Sequence, residues 1–205
     1  MYDFPHDPQK IRARIRRYER ALRREQECYG FINDGAGKRS LLGPLYLLMG
    51  DTAGALRSFA WFAQTFPDDS GDPLPYLCWT LALYRTGKLK HAAATLRQTM
   101  LSNLYLLRRL LGIAQDHIDM WYPSNLTEKT SIDGFPDEVF ALWEPPVLQW
   151  AYTVYASAPI QHVRRRYMAI YHQLKTEPPG PKRSRLVDEA FRLHYPPEKE
   201  SELAF

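Results

Sequence analysis

The chain has 205 residues, of which 45% are hydrophobic and 13% aromatic, and this composition excludes an intrinsically disordered protein. Its net charge is +4, and its two cysteines, Cys28 and Cys78, stand alone in helical patterns, which favours small buried side chains over a disulfide. No uncharged apolar run approaches the roughly 18 residues of a membrane span, and residues 1–7 do not resemble a signal peptide. We therefore expect a folded, cytoplasmic protein with no membrane partner.

The first predicted helix begins at Asp7, a favourable cap followed by proline, and ends near Gly30. Apolar residues recur along it at the spacing of one buried helix face: Ile11, Ile15, Tyr18 and Leu22. Between Lys10 and Arg24 there are eight basic residues and one acidic residue, Glu19. The helix is therefore amphipathic, with a strongly basic surface.

Four arginines of this surface lie off the apolar face: Arg12, Arg16, Arg20 and Arg23. One interpretation is a solvated helix surface, because the other face is already used for burial and Glu19 stands four residues before Arg23. The other interpretation is a binding surface for nucleic-acid phosphates or for an acidic partner. The sequence leaves both open.

A small set of residues recurs with an offset of 37 positions, which indicates an internal repeat. The two sets are Gly50, Ala55, Phe59 and Gly87, Ala92, Leu96. In the first copy, Gly43 and Ala55 are small enough for two helices to cross closely, and Tyr46 and Phe59 fill the volume beside them. Gly50 provides the left-handed residue that ends a helix.

The first copy reads Leu42-Gly43-Pro44-Leu45-Tyr46, followed by Gly50, Ala55, Phe59 and a closing Pro67. This order resembles the tetratricopeptide repeat, a helix-turn-helix unit. The resemblance covers about residues 36–67 and 73–103, and the second copy departs from it where Trp79, Thr80 and Leu83 replace Leu42, Gly43 and Tyr46. It implies an all-α fold built of stacked helix pairs, in a protein that holds other macromolecules.

In tetratricopeptide proteins the first helix of each repeat lines a concave groove. The resemblance places these residues in it: Leu47, Leu48, Leu74, Leu77, Leu81, Tyr84 and Arg85. Most are apolar, and the lysines and asparagines with which family members grip acidic carboxyl-terminal tails are largely missing. Because a large apolar patch is rarely left open, either an apolar segment of a partner binds there or one of the protein's own terminal helices fills the groove.

The repeat pattern stops at Gly112, and we predict two regions, 1–112 and 113–205, with the packing between them left open. Residues 104–111 and the first helix are natural caps for a stack of only two repeats. Residues 113–145 carry seven acidic side chains and one basic side chain. Further helices are predicted over about 136–143, 145–157, 159–175 and 182–195, most of them opened by proline.

No catalytic motif stands out. The segment Gly35-Ala36-Gly37-Lys38-Arg39-Ser40 fails as a phosphate-binding loop, because Ile32 occupies the first glycine position and Arg39 follows the lysine where serine or threonine is required. The densest group of candidate ligands is Asp116-His117 with Asp119, and its spacing is not that of a metal site. We predict no enzymatic activity, no cofactor and no metal.

The sequence therefore predicts an all-α, non-catalytic adaptor or scaffold that binds a protein partner. Such a protein can also be a subunit of a larger complex. The alternative is a nucleic-acid-binding or nucleoprotein-assembly subunit that uses the arginine-rich helix. The partner's identity and the oligomeric state are left open.

Overall fold

The computed structural model describes residues 2–35, 37–67, 69 and 72–195. Over these ranges the chain forms ten α-helices, two short 3-10 helices (Asn125–Thr127 and Lys129–Ile132) and no strand, which confirms the all-α prediction. The α-helices are α1 Pro8–Tyr29, α2 Lys38–Leu48, α3 Thr52–Thr65, α4 Pro73–Arg85, α5 Leu89–Ser102, α6 Leu106–Leu110, α7 Asp137–Ala141, α8 Pro145–Ala156, α9 Ala158–Gln173 and α10 Pro181–His194.

Local signals set the ends of α1 as predicted. The Asp7 carboxylate accepts the backbone N–H of Gln9 at 2.7 Å, and Gly30 closes the helix in the left-handed conformation, with φ of 74°. The predicted start of the first repeat, Ala36, lies outside the described residues. So do Asp68, Ser70 and Gly71 of the predicted connector between the repeats.

The turns after α2 and α4 have the same geometry, 37 residues apart. Gly50 and Gly87 are left-handed, with φ of 75° and 72°. The residue after each glycine donates its N–H to a carbonyl five residues back, from Asp51 to Tyr46 at 2.9 Å and in the second turn from Lys88 to Leu83 at 3.0 Å. These bonds satisfy carbonyls that the helix end leaves unpaired, and side chains at either glycine would be strained.

The crossing of α2 and α3 depends on a missing side chain. A Cβ atom added to Gly43 would overlap the ring of Phe59, so only glycine allows the two helices to approach this closely. Ala55, on the facing helix, has no exposed surface. The close crossing predicted from the sequence is confirmed.

Helix α4 holds the two pairs together. It packs against α5, the other helix of its pair, and also against α2 and α3 of the first pair. The N-terminal helix α1 packs against α2. Helix α5 continues the packing to α8, α9 and α10. Buried side chains from Phe4 to Ala190 form one hydrophobic cluster, so residues 113–195 share a core with the helix pairs.

Candidate interaction surface

The groove that the sequence predicted is inside the protein. Four of its residues have no exposed surface: Leu47, Leu74, Leu77 and Leu81. Leu48 and Tyr84 are half-buried, and Arg85 is exposed. A partner cannot reach the four leucines while the core is intact, so of the two alternatives for the groove they favour filling by the protein's own chain.

The protein's own chain covers this face. The Tyr84 ring packs on Trp150 of α8 with 4.9 Å between ring centroids, and Arg85 donates from Nη2 to the Leu142 carbonyl at 2.9 Å. Helix α7 contacts α2, the other groove helix. Terminal and internal helices both pack on the two groove helices, since α1 contacts α2 and Trp150 of α8 contacts Tyr84 of α4.

With the groove closed, the exposed face of α1 is the surface that matches the remaining prediction. Its four arginines, Arg12, Arg16, Arg20 and Arg23, are exposed, while Ile11, Ile15 and Leu22 of the same helix are buried. Within the described residues none of the four arginines forms an ion pair. Their guanidinium groups are available to an acidic partner.

The expected pairing of Glu19 with Arg23 does not form among the described residues. Glu19 instead accepts a hydrogen bond from the hydroxyl of Tyr46 on α2. Burial raises the pKa of Tyr46 to about 12, and the hydrogen bond to Glu19 adds to the shift. Glu19 therefore ties α1 to α2, which leaves Arg23 uncompensated.

A cleft of about 740 Å³ lies where α1 crosses the α2–α3 pair, and we call it the α1–α3 cleft. Leu22, Leu42 and Trp61 supply its apolar lining, and Arg23 and Arg57 supply positive charge. Both arginines are exposed, and Trp61 is half-buried. Such a mixture of an aromatic side chain, aliphatic side chains and arginine is typical of protein-binding surfaces.

Polar groups in the cleft are not all satisfied by the protein. Ser58 is only 8% exposed, and its Oγ has no hydrogen-bond partner in the part of the chain that the structure describes. Glu19 and Glu27 contribute carboxylates to the same lining. The site thus offers a buried hydroxyl, two arginines and two carboxylates around an apolar surface.

Exposed aromatic residues continue this surface past the end of α1. Tyr29 is 70% exposed and Phe31 is 61% exposed, with 6.3 Å between their ring centroids, and the next residue, Ile32, lines the cleft. Cys28 is exposed beside them, contrary to the expectation of a buried side chain, because it lies off the apolar face of α1. Cys78 is buried as expected, and burial raises the pKa of its thiol.

A second basic run on α9 does not form a surface. Arg164 is buried, Arg165 is exposed, and Arg166 forms a two-point ion pair with Glu189 at 2.6 and 2.7 Å. Three consecutive positions on a helix point in three directions, so the environments of the arginines differ.

The loop that had resembled a phosphate site has a structural role. Lys38 lies 3.0 Å from the buried Asp34 and 3.4 Å from Glu25, and the N–H of Arg39 donates to Asp34 at 2.6 Å. Asp119, from the densest polar group, pairs with Lys175 and lies 3.3 Å from His172.

The described residues contain no group of three or more histidine, cysteine or acidic side chains able to hold a metal ion. No helix in the described part of the chain has the length and apolar character needed to span a bilayer.

No protein-family model matches the chain, and comparisons with curated proteins and with solved structures find no match. Function is therefore inferred from the residues described above.

Proposed function

We propose that this protein is a non-catalytic helical adaptor of the cytoplasm that binds an acidic segment of a protein partner through α1 and the α1–α3 cleft. We further propose that α2–α3 and α4–α5 are two tetratricopeptide-like repeats that serve as its rigid base. The observation that carries the proposal is the cleft itself, which Trp61 and aliphatic side chains line together with Arg23 and Arg57.

The charge and polarity of this surface favour a protein partner. Arginine and aromatic side chains are enriched at protein interfaces, and a partner with an apolar anchor between acidic residues would meet both features of the cleft. The unpaired Oγ of Ser58 can hydrogen-bond to a backbone group of the bound segment.

The nucleic-acid alternative rests on the same helix but fits the cleft less well. A nucleic-acid strand carries a phosphate at every nucleotide, so a strand in the cleft would place charges beside Glu19 and Glu27, whereas a peptide can place its acidic residues at the arginines alone. The exposed arginines outside the cleft carry no such penalty, so binding must be tested with nucleic acid present and absent.

The exposed thiol of Cys28 allows a direct test, because the adjacent Glu27 lines the cleft and Cys78 is buried. A thiol-reactive photo-crosslinker attached to Cys28 should capture a protein from an extract of the native source, and nuclease treatment should not reduce the yield. The charge reversal Arg23→Glu with Arg57→Glu should abolish capture.

A matched charge reversal serves as the control. Arg165→Glu with Arg185→Glu removes the same charge from exposed positions on α9 and α10, and it should leave capture intact. Equal loss in both variants would indicate nonspecific attraction to a basic protein. Capture of RNA or DNA that disappears with nuclease would replace the protein-adaptor proposal with the nucleic-acid one.

A further inference from the structure

Arg164 on α9 is a buried charge that the protein only partly satisfies. Its side chain is 7% exposed, and its Nη2 donates to the Oε1 of Gln115 at 2.7 Å. Its Nε is buried and has no hydrogen-bond partner among the described residues. An ionised group removed from water is costly unless it is paired or fully hydrogen-bonded, so one neutral amide is a poor compensation.

A second arginine increases this cost. Arg108 of α6 donates from Nε to the carbonyl of Ala114 at 3.1 Å, and its Nη1 lies 3.5 Å from the hydroxyl of Tyr155. Burial lowers the pKa of Arg164, and the positive charge of Arg108 lowers it further. The two guanidinium groups also bind neighbouring residues of one loop, Arg108 at Ala114 and Arg164 at Gln115.

A third cation approaches the same short segment. Lys129, in the second 3-10 helix, has its Nζ 3.4 Å from the carbonyl of Gln115. Side chains from α6, α9 and the 3-10 helix thus all donate to Ala114 and Gln115, two adjacent residues of the loop after α6. The fold therefore directs three basic side chains from separate parts of the sequence to one pair of residues.

No carboxylate balances the three charges in the described part of the chain. Arg108, Arg164 and Lys129 form no ion pair there, whereas Arg166, two residues from Arg164, has the two oxygens of Glu189. Arg108 is half-buried and Lys129 is exposed, so a ligand can approach these two side chains from solvent, whereas Arg164 is buried.

We propose that Arg108, Lys129 and Arg164 form a binding site for a phosphate group, with Gln115 and Tyr155 as neutral neighbours. Guanidinium groups match the oxygens of phosphate in a two-point geometry, and the ammonium group adds a third donor. A dianion would remove the repulsion between the arginines. The site uses none of the residues of the α1–α3 cleft, so it stands independently of the proposed function.

The intact protein can be titrated with inorganic phosphate in a calorimeter, and its thermal unfolding compared in sodium phosphate and in sodium chloride of equal ionic strength. Phosphate should raise the midpoint of unfolding in a saturable way. Arg108→Gln should weaken phosphate binding by about tenfold or more, because a charged hydrogen-bond donor is lost. Lys129→Gln should weaken it by about threefold, as expected for an exposed charge.

Arg165→Gln is the matched control, since it removes an exposed arginine of the same basic run and should not change phosphate binding. Glycerol 3-phosphate distinguishes a free ion from a phosphomonoester as the ligand, according to which probe binds more tightly. Equal midpoints in phosphate and chloride, or equal phosphate affinity in Lys129→Gln and the unmodified protein, would overturn the proposal. Lys129 is exposed, so this variant remains informative if Arg108→Gln fails to fold.

Discussion

Helix α4 buries ten of its 13 residues, whereas α2 buries five of its 11, although both lead into the same glycine turn. The difference comes from their neighbours. Helix α4 is packed by α2 and α3 on one side and by α5 on another, while the crossing of α1 over α2–α3 leaves the α1–α3 cleft open. Two helix pairs with the same turn geometry can thus differ in how much of their surface is exposed.

The two pairs also fill equivalent positions differently. In the first pair the absence of a side chain at Gly43 admits the ring of Phe59. In the second pair Thr80 takes the place of Gly43 and Leu96 that of Phe59, and the Thr80 hydroxyl donates to the Tyr76 carbonyl at 2.9 Å. Compared with the first pair, the second pair therefore has a larger side chain on its first helix and a smaller side chain on its second helix.

The largest effect is expected from a charge placed in the more buried pair. Leu77→Glu puts a carboxylate where no surface is exposed, and we expect a loss of about 4 kcal/mol or more in the free energy of unfolding. Leu81→Glu should behave in the same way. Urea unfolding followed by circular dichroism measures this loss.

The equivalent position in α2 is the control. Ser40 stands 37 residues before Leu77 and is half-buried, so Ser40→Glu should leave the protein folded. If Leu77→Glu and Ser40→Glu were equally mild, the proposed difference in burial between the two pairs would be incorrect.

The next largest effect tests the crossing in the first pair. Gly43→Leu should cost on the order of 3 kcal/mol, the upper part of the range for overpacking, because its side chain would enter the space of Phe59. Gly43→Ala should cost less. A change in the midpoint of urea unfolding reports both.

The second pair suggests the compensating change. Phe59→Leu should reduce the cost of Gly43→Ala, since leucine stands at the corresponding position beside Thr80. The interaction energy from a double-mutant cycle should therefore be favourable. An additive result would show that the Phe59 ring is not what excludes a side chain at position 43.

An aspartate precedes the first helix of each pair, but the negative charge of the two aspartates is compensated differently. This difference leads to a prediction about the pH dependence of stability. Asp34, before α2, lies beside Lys38 and Arg39. Asp72, before α4, accepts hydrogen bonds from the N–H of Leu74 and the hydroxyl of Tyr2, and burial raises its pKa to about 6 from the ordinary value of 3.8. Between these two pKa values Asp72 keeps a proton in the folded protein that it releases in the unfolded chain, so the free energy of unfolding falls as pH rises.

Asp72→Asn keeps an oxygen to cap α4 and removes the charge. It should stabilise the protein by up to about 3 kcal/mol near pH 7, and the gain should shrink toward zero near pH 4. Unfolding in urea at several pH values measures it. A gain that did not depend on pH would mean that the Asp72 charge is not the cause.

Comparing Asp72→Asn with the unmodified protein at each pH also separates the contribution of Asp72 to stability from that of His194. Burial lowers the pKa of His194 to about 4 from the ordinary value of 6.5, so between these two values the unfolded chain binds the extra proton and stability rises with pH. The two groups act in opposite directions over overlapping ranges. The difference between Asp72→Asn and the unmodified protein cancels the histidine contribution.

Features with local causes were predictable from the sequence. The cap at Asp7, the left-handed turns at Gly50 and Gly87, and the close crossing at Gly43 each follow from residues within one or two helices. The sequence predicted a groove filled by the protein's own chain as one of two alternatives, but the contacts that close it were not predictable, because Arg85 reaches the Leu142 carbonyl 57 residues away. Contacts over such distances depend on how whole helices dock.

The burial of Arg164 lies between these cases. Along α9, Ile160, Tyr167 and Ile170 are buried, and Arg164 stands four residues after the first and three before the second. That spacing places Arg164 on the apolar face of α9 and indicates burial. The two basic residues that follow it favoured a basic surface instead. The α1–α3 cleft had no comparable signal, since it depends on the crossing of α1 over the α2–α3 pair.

The smallest effect on stability is expected on α1, where the effect on binding should be largest. Replacing Arg12, Arg16, Arg20 and Arg23 with glutamine should change the free energy of unfolding by less than about 1 kcal/mol, because these side chains are exposed and form no ion pair among the described residues. Partner capture should be lost. Urea unfolding and the Cys28 crosslinking assay measure the two effects.

A variant with the same net charge decides whether position or charge matters. Replacing Lys88, Lys90, Arg165 and Arg185 with glutamine removes four exposed charges outside α1, and it should retain capture. Salt then distinguishes the two partner classes, because affinity for nucleic acid falls by orders of magnitude between low and moderate salt when several phosphates are neutralised. A protein anchored on Trp61 should lose much less affinity, since the burial of apolar surface is not screened by ions. A steep salt dependence that only the α1 variant removes would therefore favour the nucleic-acid alternative over the adaptor.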